Sequence, residues 1–284
     1  MALNEPSGSM WRDLQQRGYL MNPKAKLFIV DPDVTAFDLN DAIGECTSGN
    51  GDVIAKLPGG MEVTETVAVD VSGISIVAVN RGVNPLAQGE FNGIYAAASF
   101  TDGPAMTITV PCIIDGLGFV SRDTGATFWS GAAALIGGLA TAAPFGVWMK
   151  NCRFPKWNMT NRIGLAVEGS SDVLIEDCGF EGVGADFDSG IYVQGATQNI
   201  TIRRNQFRDC TFGILFGAFA GGGPECIIRS NVFEGSRCLS ATSAATGIVA
   251  DNWLMTATDS GSYNTTVNAL NAFGLQFSDQ HYAE

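Results

Sequence analysis

Two aspartates stand two residues apart in "GADFDSG", Asp186 and Asp188, and on a strand that spacing turns both carboxylates to one side. Such a pair could hold a calcium ion against the acid group of a sugar while a basic residue, Arg203 or Arg204, removes a proton. Glu168 and Asp172, ahead of the apolar run that starts at Val173, are further acids for the same work. A plainer account exists for each. "GADFDSG" reads equally as a turn, with Asp supplying side-chain hydrogen bonds and Gly a positive φ. The arginines of "TIRRN" can pair with Glu176 or Asp177, about one repeat earlier. Other chemistries find little material. The chain has one histidine, His281, and its seven cysteines, at 46, 112, 152, 178, 210, 226 and 238, form no CxxC and have no companion histidines. They read as small buried hydrophobes, and neither a metal nor a cofactor is expected. With 16 basic against 29 acidic residues the net charge is −13, which argues against a surface that neutralises phosphates, so nucleic acid is not an expected partner.

These side chains must be positioned by whatever repeats around them. Phe154, Phe180, Phe207 and Phe233 follow one another at steps of 26, 27 and 26 residues, a regularity that marks a repeat architecture. Five residues before each ring stand Met149, Ile175, Ile202 and Ile228, and seven before stand Val147, Val173, Ile200 and Cys226. That alternation is strand-like. The beat extends outward to Phe119 and Leu254. Cys152, Cys178, Asn205, Asn231 and Asn252 recur two places ahead of the aromatic or leucine, where stacked turns can build ladders of side-chain hydrogen bonds. A further short strand follows in "IGLAV", "GIYVQ" and "GILFG". Several short strands per two dozen residues, with no room for a long helix, predict an all-β fold, a right-handed single-stranded parallel β-helix. The four phenylalanines are expected to form one inward column, one coil apart. Glycine at 35 positions and only 16% charged residues suit buried parallel strands joined by tight turns.

The stretch from Phe37 to Gly82 contains "DLNDAI" followed by "GDVIAKLPGG" and resembles the opening of pectate-lyase-like β-helix proteins. The resemblance spans roughly Phe37 to Leu254. It implies a short helix capping the mouth of the stack and a first coil made by "GDVIAKLPGG". Members of that superfamily often cut polyuronates or other glycans, which would give Asp186, Asp188 and Arg203 catalytic work. A hydrolase of the polygalacturonase kind needs two or three carboxylates around a water, with a histidine and an Arg-x-Lys strand. No Asp-Asp pair, Gly-His-Gly or Arg-Ile-Lys occurs in this chain.

Three regions are expected: an N-terminal arm over 1–36, the β-helix over 37–258 and a C-terminal cap over 259–284. The arm carries Trp11, Arg12, Arg17, Tyr19 and Phe28, side chains suited to docking on a partner outside the stack. Between Thr124 and Met149 the chain has no charge, and it fills the long step from Phe119 to Phe154. Pro144 and the many small residues argue against a membrane segment. As an insertion from a coil, its Phe128, Trp129, Leu135, Ile136 and Leu139 are expected to meet other subunits in a homotrimer. The first twenty residues lack the basic start and apolar core of a secretory signal. By analogy of fold class, the leading expectation is a non-enzymatic structural protein of a phage virion, decorating the capsid or associated with the tail, made in the host cytoplasm and bound to other virion proteins. The alternative is a glycan-active enzyme, lyase or hydrolase, or a receptor spike that binds a surface glycan.

Overall fold

The computed structural model describes residues 8–19, 22–34, 36–79, 92–97, 99–100, 103–120, 132–137, 145–155, 163–182, 189–217, 225–234, 237–241, 245–255, 275–278 and 281–282. Among them the strands form three parallel sheets of ten, nine and seven strands, wound as a right-handed parallel β-helix. Each coil lays its strands directly over those of the coil before it. Ile175 pairs with Ile202 and Ile202 with Ile228, so equivalent positions stack in columns. The alternation in sequence becomes alternation in burial: in Glu225–Arg229 the odd residues Glu225, Ile227 and Arg229 are exposed, whereas Cys226 and Ile228 are buried.

The phenylalanine column is present as expected. Ring centroids lie 4.6 Å apart for Phe154 and Phe180, 5.0 Å for Phe180 and Phe207, and 4.7 Å for Phe207 and Phe233. Phe119 extends it at 5.3 Å. Opposite the rings run Gly164, Gly190 and Gly213; a Cβ on Gly190 would come within 2.6 Å of Phe207. The glycine that opens each seven-stranded-sheet phrase therefore leaves room for a ring. Five successive bends from the ten-stranded to the nine-stranded sheet put a non-glycine residue in the left-handed region: Asn151, Asp177, Arg204, Ser230 and Asp251, all with φ between 54° and 57°; in the coil before them Gly116 takes that place. That conformation costs energy for an L-residue, and a hydrogen-bonded ladder holds it. Asn231 Oδ1 accepts from the Asn205 backbone N–H at 2.9 Å and Asn252 Oδ1 from the Asn231 N–H at 3.0 Å. Their amides donate to the carbonyls of Ile202 and Ile228. Cys152 and Cys178 continue the same column, buried.

A short helix, α2 (Leu39–Gly44), closes the mouth with a capping box between Asp38 and Asp41 and buries Leu39, Ala42 and Ile43. The described residues before it are not free of the stack, contrary to the expectation for 1–36. Leu27–Val30 is the first strand of the ten-stranded sheet, in register with Val53–Lys56. Helix α1 (Gly8–Gln16) precedes it, and Leu14 and Tyr19 are buried with Val53, Ala55, Val77 and Val79 on the outer face of that sheet. An apolar strand with no partner of its own is better satisfied by pairing its backbone than by projecting into water. The chain's last part likewise adds a rung rather than only a cap, because Leu275–Ser278 pairs with Thr246–Ala250 and His281–Tyr282 with Trp253–Met255.

The described part of the uncharged stretch also belongs to the stack. Ala132–Gly137 is a strand of the seven-stranded sheet, in register with Met106–Ile108 and Ile163–Glu168. Alternation turns Ile136 into the core at 0% exposure, and Leu135 joins a buried cluster on the outer side with Ala166, Tyr192 and Leu215. Neither offers free surface to another subunit. Phe128, Trp129 and Leu139 lie outside the described residues. No helix among the described residues is long and apolar enough to cross a membrane.

One buried charge belongs to the first coils. Lys56 is 0% exposed, and its ammonium donates to the carbonyls of Leu57 and Gly59 and to Asn92 Oδ1 at 3.1 Å. Burial pulls its pKa down to about 8, against the opposing pull of Asp31. Between about 8 and the ordinary 10.5 the unfolded chain holds a proton that the folded chain has released, so stability rises with pH in that window. Measured by denaturant unfolding against Lys56→Met, the wild type is expected to gain on the order of 3 kcal/mol from pH 7 to pH 10. A constant difference would show that the carbonyl cage holds the proton throughout.

Candidate functional site

Three acidic clusters lie on the outside of the stack, and their partners separate scaffold from site. The first centres on Asp115, 0% exposed, at the end of Cys112–Asp115. Its carboxylate accepts from Arg17 Nη2 at 2.6 Å, the Tyr19 hydroxyl at 2.7 Å and Asn151 Nδ2 at 2.9 Å, with Lys150 Nζ at 3.8 Å. Lys150 also lies over the rings of Trp148 and Tyr19. The bonds from Arg17 and Tyr19 tie the N-terminal segment to the sheet, and those from Asn151 and Lys150 tie it to the next coil, so Asp115 is a clamp. Arg17 and Tyr19, expected on a free arm, are thereby engaged within the chain. Phe28 is half-buried against the core, Arg12 is exposed, and the Trp11 side chain lies outside the described residues.

The second cluster contains Arg203. Its Nε donates to Glu176 Oε2 at 2.7 Å. Arg204 donates to the same oxygen at 2.6 Å and to both oxygens of Asp177 at 2.9 Å, and these acids raise its pKa above the usual arginine value. Trp148 Nε1 donates to Glu176 Oε1 at 2.8 Å. This is the pairing of neighbouring coils that the repeat suggests. A guanidinium already bound to a carboxylate cannot serve as a base. Asp172 accepts from Asn199 at 3.1 Å. Asp186 and Asp188 lie outside the described residues, in the connection leading into Ser189–Gln194.

The third cluster is different in kind. Glu168 ends Ile163–Glu168 on the outer side of the seven-stranded sheet, in register with Gln194 of the next coil. Only 5% exposed, it receives one long hydrogen bond from Gln194 Nε2 at 3.4 Å. Gln194 Oε1 in turn accepts from the Tyr192 hydroxyl at 2.7 Å. Tyr192 belongs with Leu135, Ala166 and Leu215 to the apolar cluster on this face, and Gly217 leaves its hydroxyl room, since a Cβ there would come within 2.1 Å of it. No cation pairs with Glu168 among the described residues, and desolvation raises its pKa to about 7. Tyr192 is raised as well, by burial and by the neighbouring carboxylate. A carboxyl group that is half protonated near neutrality can give or take a proton from a bound molecule.

Sequence reading placed Glu168 among several acids but could not rank it, because its distinguishing property is burial. Its one signal is that Gln194 repeats a long polar residue at the same coil position, 194 − 168 = 26 residues on. The cysteines take no part: all seven are free, and burial raises Cys112 and Cys226 to about 12. Among the described residues no three metal-binding side chains converge.

Several solved structures share the architecture. Escherichia coli YbhC superposes with a TM-score of 0.57 at 12% identity, covering 90% of this chain and 85% of that one. Pectin methylesterase PemA from Erwinia chrysanthemi gives 0.54 at 10%, covering 90% and 89%. The catalytic domain of a GH87 α-1,3-glucanase in complex with nigerose gives 0.50 at 12%, covering 92% of this chain and 45% of that one. At such identities the likeness is one of fold. No curated protein matches the sequence. Residues 91–281 match the family described as the right handed beta helix region, and the chain belongs to that family.

Proposed function

We propose that the protein acts on a glycan held across the outer side of the seven-stranded sheet, with Glu168 as the proton donor. The observation that carries this is the buried Glu168 carboxyl, which has no cation paired to it among the described residues and is linked through Gln194 to the Tyr192 hydroxyl, a setting that raises its pKa. Leaving a glycosidic oxygen needs a proton, and a carboxyl with a raised pKa supplies it at neutral pH. The amide and phenol orient the carboxyl from the next coil, and the apolar surround keeps it protonated. A second carboxylate is available in Asp186 or Asp188, immediately ahead of the Tyr192 strand. The similar folds include a pectin methylesterase and a glucanase bound to nigerose, an analogy of fold that favours carbohydrate.

The virion role loses its local support once the N-terminal segment is part of the stack, since that segment was to be the attachment device. Co-purification with virus particles at a fixed copy number is the measurement that would restore it. For the glycan reading, the chain is incubated with neutral and uronate-containing polysaccharides while reducing ends and unsaturated products are followed. Glu168→Gln is expected to lower turnover roughly 10²- to 10⁴-fold without changing the melting curve. Because the acid form is the active one, wild-type activity is expected to fall as pH rises through about 7. No product from the whole panel, or a glutamine variant as active as wild type, would end this reading; binding without product would leave a saccharide-binding protein.

A further inference from the structure

The outer face of the ten-stranded sheet is covered at one end and bare at the other. Over the early rungs Leu14 and Tyr19 sit on Val53, Ala55, Val77 and Val79. Over the later rungs lies an open groove of about 920 Å³. Its floor is a single column set by register, Leu174, Thr201, Ile227, Ile248 and Gln276. Ile227 is 43% and Ile248 48% exposed, among the few large hydrophobics that face solvent.

Opposite charges flank this groove, Glu225 in its lining and Arg229 at the far end of the same strand. Along Glu225–Arg229 the outward residues are an acid, an isoleucine and a base. Glu225 and Arg229 are four residues apart, about 13 Å on an extended strand, too far to meet each other. Neither side chain has a hydrogen bond or ion pair among the described residues, whereas in the neighbouring coils Asp172 is taken by Asn199 and Arg203 by Glu176. Among the described residues one unpaired acidic and one unpaired basic side chain thus flank an apolar centre at the same level.

That pattern is complementary to itself. A half-turn about an axis parallel to the stack lays a second copy face to face with strands antiparallel, and brings the acidic wall of each onto the basic wall of the other. A half-turn about an axis along the strands would set Glu225 against Glu225. Only the first arrangement pairs both charges, and it does so twice, because an isologous contact repeats every interaction. It also buries the Ile227 and Ile248 column against its own copy at the spacing of packed sheets, about 10 Å. The geometry points to a side-by-side homodimer of parallel rods through this face. The occupant is a second copy rather than an unrelated protein because the unpaired acid and base match each other in number and level. Of the residues expected to carry a trimer, Leu135 and Ile136 are buried, and Phe128, Trp129 and Leu139 lie outside the described residues.

The test is sedimentation of the full chain across micromolar concentrations, with melting curves to confirm folding. Wild type is expected to sediment as a dimer. Glu225→Arg and Arg229→Glu are each expected to weaken association roughly tenfold or more, because each puts like charges together twice. Combining the two reverses both walls and is expected to return the dimer to near wild-type affinity. Ile248→Glu is expected to give a folded monomer. A wild type that stays monomeric, a trimer, single reversals that leave the dimer intact, or a combined variant no better than the singles would each overturn the assignment.

Discussion

A chain that begins at Asp31 is expected to lose its cooperative melting transition or to drop out of solution. Three losses coincide. Strand Leu27–Val30 is the first rung, so its removal leaves the backbone of Val53–Lys56 unpaired along one edge. Leu14, Tyr19 and Val30, each at most 5% exposed, go with it; burial of such side chains is worth about 1.5–3 kcal/mol apiece. Asp115, 0% exposed, is left without Arg17 and Tyr19, and stripping the partner from a buried charge costs about 3–5 kcal/mol. The sum rivals the roughly 5–15 kcal/mol that separates folded from unfolded domains. Circular dichroism melts decide the matter. An unchanged transition in the shortened chain would show that the first rung is dispensable.

That outcome also bears on what the N-terminal segment is for. In a stack whose coils touch only their neighbours, a terminal rung protects everything behind it. Helix α2 buries Leu39, Ala42 and Ile43 in the main core together with Val30, so the cap and the first rung share one seat. A segment used this way is not free to fill pockets elsewhere, and Arg12 is the one basic side chain of the expected attachment set that stays exposed. Besides Val34 and Phe145, the exposed large apolar side chains lie toward the other end, at Ile227, Ile248, Trp253 and Met255.

The inward columns were legible because parallel in-register strands place equivalent positions directly above one another, and the same requirement then recurs every coil. Phe180 and Phe207, or Asn205 and Asn231, must each fit the copy below. The first rung was harder to see although its signal existed. Leu27 pairs with Val53, and 53 − 27 = 26 residues is the repeat itself, but "DLNDAI" intervenes and marks a false beginning. In Ala132–Gly137 the run "AAALIG" has few of the branched residues that announce a strand, and only pairing with Ile163–Glu168 reveals one. The Asp115 clamp joins residues 98 apart in sequence, and no periodicity reports such a contact. For Glu168, residue type was readable and environment was not; the raised pKa arises from an outer face that is apolar only because Leu135, Tyr192 and Leu215 converge there from three coils.

The fit between glycine and ring gives the sharpest test of how the stack is held. Phe207 is 0% exposed between Phe180 and Phe233, so Phe207→Ala removes contacts on both sides and is expected to cost about 3–5 kcal/mol in denaturant unfolding. Gly190→Ala adds a methyl within 2.6 Å of the Phe207 ring and 2.9 Å of the Gly213 carbonyl. Overpacking of this kind costs about 1–3 kcal/mol. The two changes should not add. With the ring gone, the methyl enters the space it vacated, and the double variant is expected to be more stable than the sum of the singles by about 1–2 kcal/mol. Part of the glycine cost persists, because the Gly213 carbonyl does not move with the ring. Strict additivity would mean that the backbone contact alone fixes glycine at 190, and that the ring column and the glycine column are independent features of each coil.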